Sequence, residues 1–164
     1  MKKLLVVLFF APFLAASQDC KLTKEKDPYT KETKISTGFI NFDGGSVTID
    51  ADSKEINFLF SIEGADRCFD NNSIVDVFFE GIKAKTQSRN GGTMNCEGLF
   101  QFVFRNTNSS PTTMLQRILT RKVTQMIFTC NNGKQVTVNL GAAEQQALMT
   151  LANCLVNDAK TLIQ

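Results

Sequence analysis

From Ile35 onward, apolar and polar residues alternate with a period of two through much of the chain, the spacing of half-buried strands. Ile35 to Phe42 contains Phe39-Ile40-Asn41-Phe42, and Asp43-Gly44-Gly45 predicts a turn into a strand over Ser46 to Ala51. Asp52-Ser53-Lys54 makes the next turn. Ile56 to Ile62 then alternates cleanly, with Ile56, Phe58, Phe60 and Ile62 on one face. After a polar connection, Ile74 to Ile82 sets Val75, Val77 and Phe79 against Asp76, Phe78 and Glu80. Asn90-Gly91-Gly92 is a hairpin signal. It leads into Cys96 to Arg105, where Phe100, Phe102 and Phe104 share a face. Val123 to Cys130 and Gln135 to Leu140 complete the strands, joined by Asn131-Asn132-Gly133.

Two segments switch to helical spacing. Ser110-Pro111 predicts an N-cap followed by proline at the first helical position, ahead of the stripe Met114, Leu115, Ile118 and Leu119. A second helix is expected from about Ala142 to Leu162, with Ala147, Leu148, Leu151, Cys154, Leu155, Ala159 and Leu162 on one side. Strands first and a long amphipathic helix last imply an α+β fold. The expectation is an antiparallel sheet of about six to eight strands, a short helix near 111–120 and a long C-terminal helix packed on one face.

The first seventeen residues have a different character. A Met1-Lys2-Lys3 start, an apolar run from Leu4 to Ala16 and the small residues Ala15-Ala16-Ser17 describe a secretory signal peptide cleaved between Ser17 and Gln18. The run is too short to span a membrane, and no later segment reaches transmembrane length. Ser17-Gln18-Asp19 before Cys20 fits lipoprotein processing badly. The division is therefore 1–17 signal peptide, 18–32 polar N-terminal arm, lysine-rich and irregular or edge-lying, and 33–164 a single α+β domain. The sequons at Asn71 and Asn108 are read as chance, because the short Lys-Lys leader looks bacterial.

Cys20 followed by Asp27-Pro28-Tyr29-Thr30, then Arg67-Cys68-Phe69 and Asn95-Cys96-Glu97-Gly98, resembles small exported proteins of Bacteroidota. The likeness continues through Lys122-Val123-Thr124, Asn132-Gly133 and Asn153-Cys154-Leu155. It covers nearly the whole mature chain. The resemblance implies a sheet with a C-terminal helix and an exported address. It carries no activity and no site residues.

Charge and chemistry narrow the function. Losing Lys2 and Lys3 with the leader leaves sixteen basic residues against sixteen acids, so net charge supplies no argument for nucleic acid or an anionic membrane. The chain has no histidine, which excludes Ser–His–Asp and Cys–His hydrolase sites and imidazole-bound zinc. Neither phosphate-loop nor dinucleotide fingerprints are present, and no cofactor or metal is implied. Asp76 and Glu80, with Glu63, Asp66 and Asp70 in the neighbouring loop, are the remaining acid–base candidates for a carboxylate-dependent hydrolase. Without tryptophan and with one tyrosine, Tyr29, sugar-stacking aromatics are scarce. Phe58, Phe60, Phe100, Phe102 and Phe104 form an apolar face suited to core packing or to an apolar ligand. Phe78, opposite to that pattern, is expected under the arm or in an exposed contact patch.

The five cysteines allow at most two intramolecular bridges in an oxidising compartment. An antiparallel pairing of 96–105 with 123–130 that sets Phe104 opposite Lys122 brings Cys96 opposite Cys130. Cys154 is then expected to pair with Cys68, leaving Cys20 free or intermolecular; reduced core cysteines at 130 and 154 are the alternative. Taken together, the sequence points to an exported, non-catalytic binding or structural protein, secreted or periplasmic, whose partner is a protein or an apolar small molecule. A carrier of an apolar ligand is the second reading, a carboxylate hydrolase the third.

Overall fold

A computed structural model describes residues 20–163; the leader and its cleavage site at Ser17 and Gln18 lie outside them. The fold is α+β and antiparallel throughout. The nine strands are β1 (Thr23–Lys26), β2 (Thr33–Phe42), β3 (Gly45–Ala51), β4 (Glu55–Ile62), β5 (Ile74–Phe79), β6 (Thr86–Arg89), β7 (Leu99–Arg105), β8 (Val123–Thr129) and β9 (Gln135–Asn139). Helix α1 (Thr113–Thr120) separates β7 from β8, and α2 (Ala142–Ala159) closes the chain with one 3-10 turn over Lys160–Leu162.

The strands divide between two sheets, ordered β1-β2-β3-β4-β7 and β6-β5-β8-β9. The sequence suggests one sheet because alternation reports a buried face without naming the strand beside it. β4 pairs with β7, so the chain crosses to the second sheet and returns between them. Helix α2 packs on β2, β3 and β8. The second sheet meets the first where Phe128 of β8 touches Phe60 of β4 and Phe100 of β7, at 5.8 and 5.2 Å between ring centroids. The helix and the smaller sheet thus share the work of covering the five-stranded sheet.

Local chemistry explains most of the turns. β2 and β3 join through Asp43-Gly44, with Gly44 at φ 84°. Asp52 Oδ1 accepts the N–H groups of Lys54 and Glu55 at 2.7 and 2.9 Å, forming the β3–β4 turn. In β2 the register slips between Ser36 and Phe39, leaving Thr37 and Gly38 to oppose Ile49 as a bulge. Gly38 sits at φ 68°, and Thr37 Oγ1 accepts the Ile49 N–H at 3.1 Å. A second slip between Phe78 and Phe79 leaves Thr124 as the extra residue on β8. That slip is why Val123, Met126 and Phe128 all point inward despite uneven spacing.

Two expectations change here, and a third narrows to one of its two alternatives. Asn90-Gly91-Gly92 is a crossover between sheets, not a hairpin, since β6 and β7 belong to different sheets. A Cβ at position 91 would meet Val103 Cγ2 at 2.8 Å, so any side chain there would have to displace Val103. Helix α1 starts later than the Ser-Pro signal suggests: Thr112 is the cap, its hydroxyl accepting the Leu115 N–H. The polar arm contributes an edge strand, β1, paired to β2 from Thr23↔Ser36 to Lys26↔Thr33.

The disulfide scheme also changes. Cys20 is bonded to Cys154 and Cys68 to Cys96, while Cys130 is a buried free thiol. The expected Cys96–Cys130 bridge requires β7 to lie beside β8, and the expected Cys68–Cys154 bridge pairs the helix cysteine with the loop cysteine that this leaves. Instead Phe104 faces Ile56 of β4, and β8 lies between β5 and β9. Cys96 is brought to Cys68 by the short ladder in which Phe69 and Asn95 exchange backbone hydrogen bonds at 2.8 and 2.9 Å. Cys20 reaches the final helix because the arm folds back along β2, with Lys24 paired to Asp158 at 2.9 Å.

Candidate functional site

The phenylalanine face is assembled as the spacing implies and is consumed by packing. Phe58 lies opposite Phe102 and Phe60 opposite Phe100 across β4 and β7. Phe58, Phe60, Phe100, Phe102 and Phe104 are all buried, the most exposed of them at 7 %. Edge-to-face contacts link Phe60 to Phe102 at 5.0 Å, Phe58 to Phe104 at 5.7 Å and Phe69 to Phe100 at 5.4 Å. Rings in mutual contact gain dispersion and quadrupole energy from one another. Phe78 is half-buried on the outer face of the smaller sheet opposite Gln125, while β1 belongs to the other sheet.

The carboxylate candidates are held in structural contacts or left in the turns. Asp76 is 9 % exposed and accepts Lys85 Nζ at 2.7 Å and Gln87 Nε2 at 3.0 Å. Strand β5 ends at Phe79, so Glu80 lies in the following turn, exposed, with its N–H on the Lys122 carbonyl. The sequence expectation that Asp76 and Glu80 share one strand face therefore fails at the strand end. Burial pushes the Asp70 carboxyl up, but the N–H groups of Asn72 and Ser73 and the Ser73 hydroxyl outweigh it and hold it below its ordinary value. Asp70 is a turn-former. Glu63 and Asp66 are exposed beside it. No group of three or more histidine, cysteine or acidic side chains suited to a metal occurs among the described residues.

Two open surface grooves are present. One, of about 360 Å³, lies on the outer face of the larger sheet and includes Glu25, Lys34, Asp50, Glu55 and Asn57. The other, of about 590 Å³, lies beside the β1–β2 turn and the chain's last turn. Both are lined mostly by polar side chains, unlike the concave apolar sites that hold small ligands.

What the balanced charge of residues 18–164 conceals is a sorting of charge. Segment 81–122 carries Lys83, Lys85, Arg89, Arg105, Arg117, Arg121 and Lys122 against one acid, Glu97. The fold gathers five of these around the β5–β6 connection and α1. The Arg117 guanidinium donates to Thr86 Oγ1, which fixes α1 against β6. Arg121 Nη1 lies 3.7 Å from where a Cβ on Gly81 would stand, placing it over the β5–β6 turn. Lys122, next in the chain, accepts the Glu80 N–H on its carbonyl. Lys83 and Lys85 are exposed within the same turn. The ion pairs among the described residues are Lys24–Asp158, Lys54–Glu32 and Lys85–Asp76, so Lys83, Arg117, Arg121 and Lys122 have no carboxylate within ion-pair distance. Glu80 is the acid carried by this turn. This ridge was missed in the sequence because net charge averages over both signs; charge counted by segment reveals it.

Comparison with protein-family models, with curated proteins and with solved structures finds no match to this chain. Two disulfides indicate an oxidising environment outside the cytoplasm. No helix among the described residues is long and apolar enough to cross a membrane.

Proposed function

We propose that this is an exported, non-catalytic binding protein, secreted or periplasmic, that acts through its surface. The observation that carries this reading is the sorted charge: four cations without ion-pair partners stand together on a chain of balanced composition. The candidate side chains for catalysis or ligand capture have structural work instead, Asp76 in an ion pair, Asp70 in a turn and the phenylalanines in the interior. The Cys20–Cys154 bond also bears on the address. A sulfur committed to a disulfide cannot carry the thioether lipid of a lipoprotein, which supports a cleaved and unanchored form.

Affinity capture from the native envelope and medium tests the reading. The tagged protein should retain a defined partner that is lost at high salt, and a broad hydrolase screen should show no turnover. Turnover that disappears in Asp76→Asn while folding is intact, with no partner retained, would replace this reading with the hydrolase.

A further inference from the structure

We infer that the ridge formed by the β5–β6 turn and the C-terminal half of α1 is a docking surface for an anionic polysaccharide, one bearing carboxylate or sulfate groups. The inference deepens the binding role proposed above and rests on it. Four cations at the ridge lack ion-pair partners, and Lys85 adds a fifth whose charge Asp76 already answers. Like charges within a Debye length of about 8–10 Å repel one another, and Glu80 is the one acid of the β5–β6 turn left to offset them. The fold nonetheless concentrates them. Arg117 is anchored on Thr86, and Arg121, the extended residue that ends α1, reaches over the β5–β6 turn at Gly81. Arg121 and Lys83 flank the exposed Gly81 turn, whose glycine at φ 74° leaves no side chain to hinder an approaching polymer. Guanidinium groups suit planar carboxylate and sulfate oxygens, to which they offer paired donors.

Two observations choose among polyanions. Single-stranded nucleic acid is gripped by aromatic side chains on which bases stack, and the ridge has none. The exposed large apolar side chains, Tyr29, Phe39, Met94 and Val103, all lie outside the ridge segments. A membrane-surface site would add apolar residues beside its lysines, to bury among the acyl chains. What the ridge offers is charge and hydrogen-bond donors, the requirement of a linear, hydrated, anionic chain.

The test uses the full mature protein with its disulfides intact. Its binding is measured to polygalacturonate, dextran sulfate, neutral dextran, poly(dT) and phosphatidylglycerol vesicles. Binding of polygalacturonate or dextran sulfate but not neutral dextran is expected, weakening at least about tenfold over a fourfold rise in salt. The double variant Lys83→Glu, Arg121→Glu should weaken it by at least about tenfold. Lys26→Glu, Lys34→Glu makes the same change in net charge at exposed positions of β1 and β2 on the other sheet and should leave it unchanged. Matching thermal unfolding of all three proteins establishes that the ridge variant is folded; if it is not, Lys83→Gln, Arg121→Gln takes its place. Failure to bind either anionic polysaccharide, equal binding by the ridge variant, or tighter binding of poly(dT) or vesicles overturns the inference. If envelope capture still yields a partner, the binding role survives that failure; if capture fails too, both fall.

Discussion

Asn106 donates its side-chain amide to the carbonyl of Ala159 at 2.9 Å. Ala159 is the last residue of α2, so this bond satisfies one of the carbonyls that every helix leaves open at its C-terminus. The same amide donates to the Asp52 carbonyl at 2.7 Å, and the Asn106 N–H donates to Lys54 at 2.8 Å. One buried side chain thus joins the end of β7, the β3–β4 turn and the final helix. Asn106→Leu leaves both carbonyls unsatisfied and should cost about 2–4 kcal/mol in urea unfolding. Asn106→Asp should be worse, because a carboxylate cannot donate to either.

The two disulfides should differ in weight. Cys20–Cys154 closes a separation of 134 residues and Cys68–Cys96 one of 28. Loop-closure entropy alone assigns them about 5 and about 3.5 kcal/mol. Paired serine replacements at each bridge, compared by guanidinium unfolding, should follow that order. Loss of the longer bridge should also loosen β1, whose remaining ties are its four-residue ladder to β2 and the solvent-exposed Lys24–Asp158 pair, worth less than about 1 kcal/mol. Faster hydrogen exchange in β1 than in β3 of the variant checks this. Peptide mapping without reductant should recover 20 with 154 and 68 with 96, and a free thiol at 130.

The residues show why parts of the fold are legible and others are not. Ile56, Phe58 and Phe60 alternate with Asn57, Leu59 and Ser61, and burial follows that alternation residue by residue, because side-chain direction in a strand is local. Strand partnership is not local. Nothing between Phe100 and Phe104 states that their neighbours are Phe60 and Ile56 rather than a strand after α1. The cysteine pairs inherit that ambiguity, since Cys96 comes opposite Cys130 only if β7 lies beside β8. The charged ridge depends on two segments, 81–85 and 117–122, that meet through the Arg117–Thr86 contact.

Phe102 is the residue on which the interior should depend most. It faces Phe58 across the strands and contacts Phe60, Phe100 and Phe104. Phe102→Ala should cost about 3–5 kcal/mol, the range for a large buried aromatic whose surroundings relax only in part. Denaturant unfolding gives the number. A companion measurement addresses the carrier reading: native mass spectrometry of the gently purified wild type should show the chain's own mass without a retained lipid.

Cys130 should give the protein an alkaline weakness. Burial pushes its thiol up, and the positive charges of Arg67 and Lys134 offset this only in part. A raised value in the folded state means that the unfolded chain releases this proton first. The resulting stability is complete below the unfolded cysteine value of about 8.5 and is lost as pH rises through the folded value. Unfolding free energy should therefore fall as pH rises beyond about 8.5, and part of that slope should vanish in Cys130→Ala once its own lower baseline is subtracted. Iodoacetamide should leave the folded thiol unmodified at pH 8, because a neutral, buried sulfur is a poor nucleophile. Rapid alkylation of Cys130 in the folded protein, or an alkaline slope identical in Cys130→Ala, would show that this thiol ionises as freely in the fold as outside it.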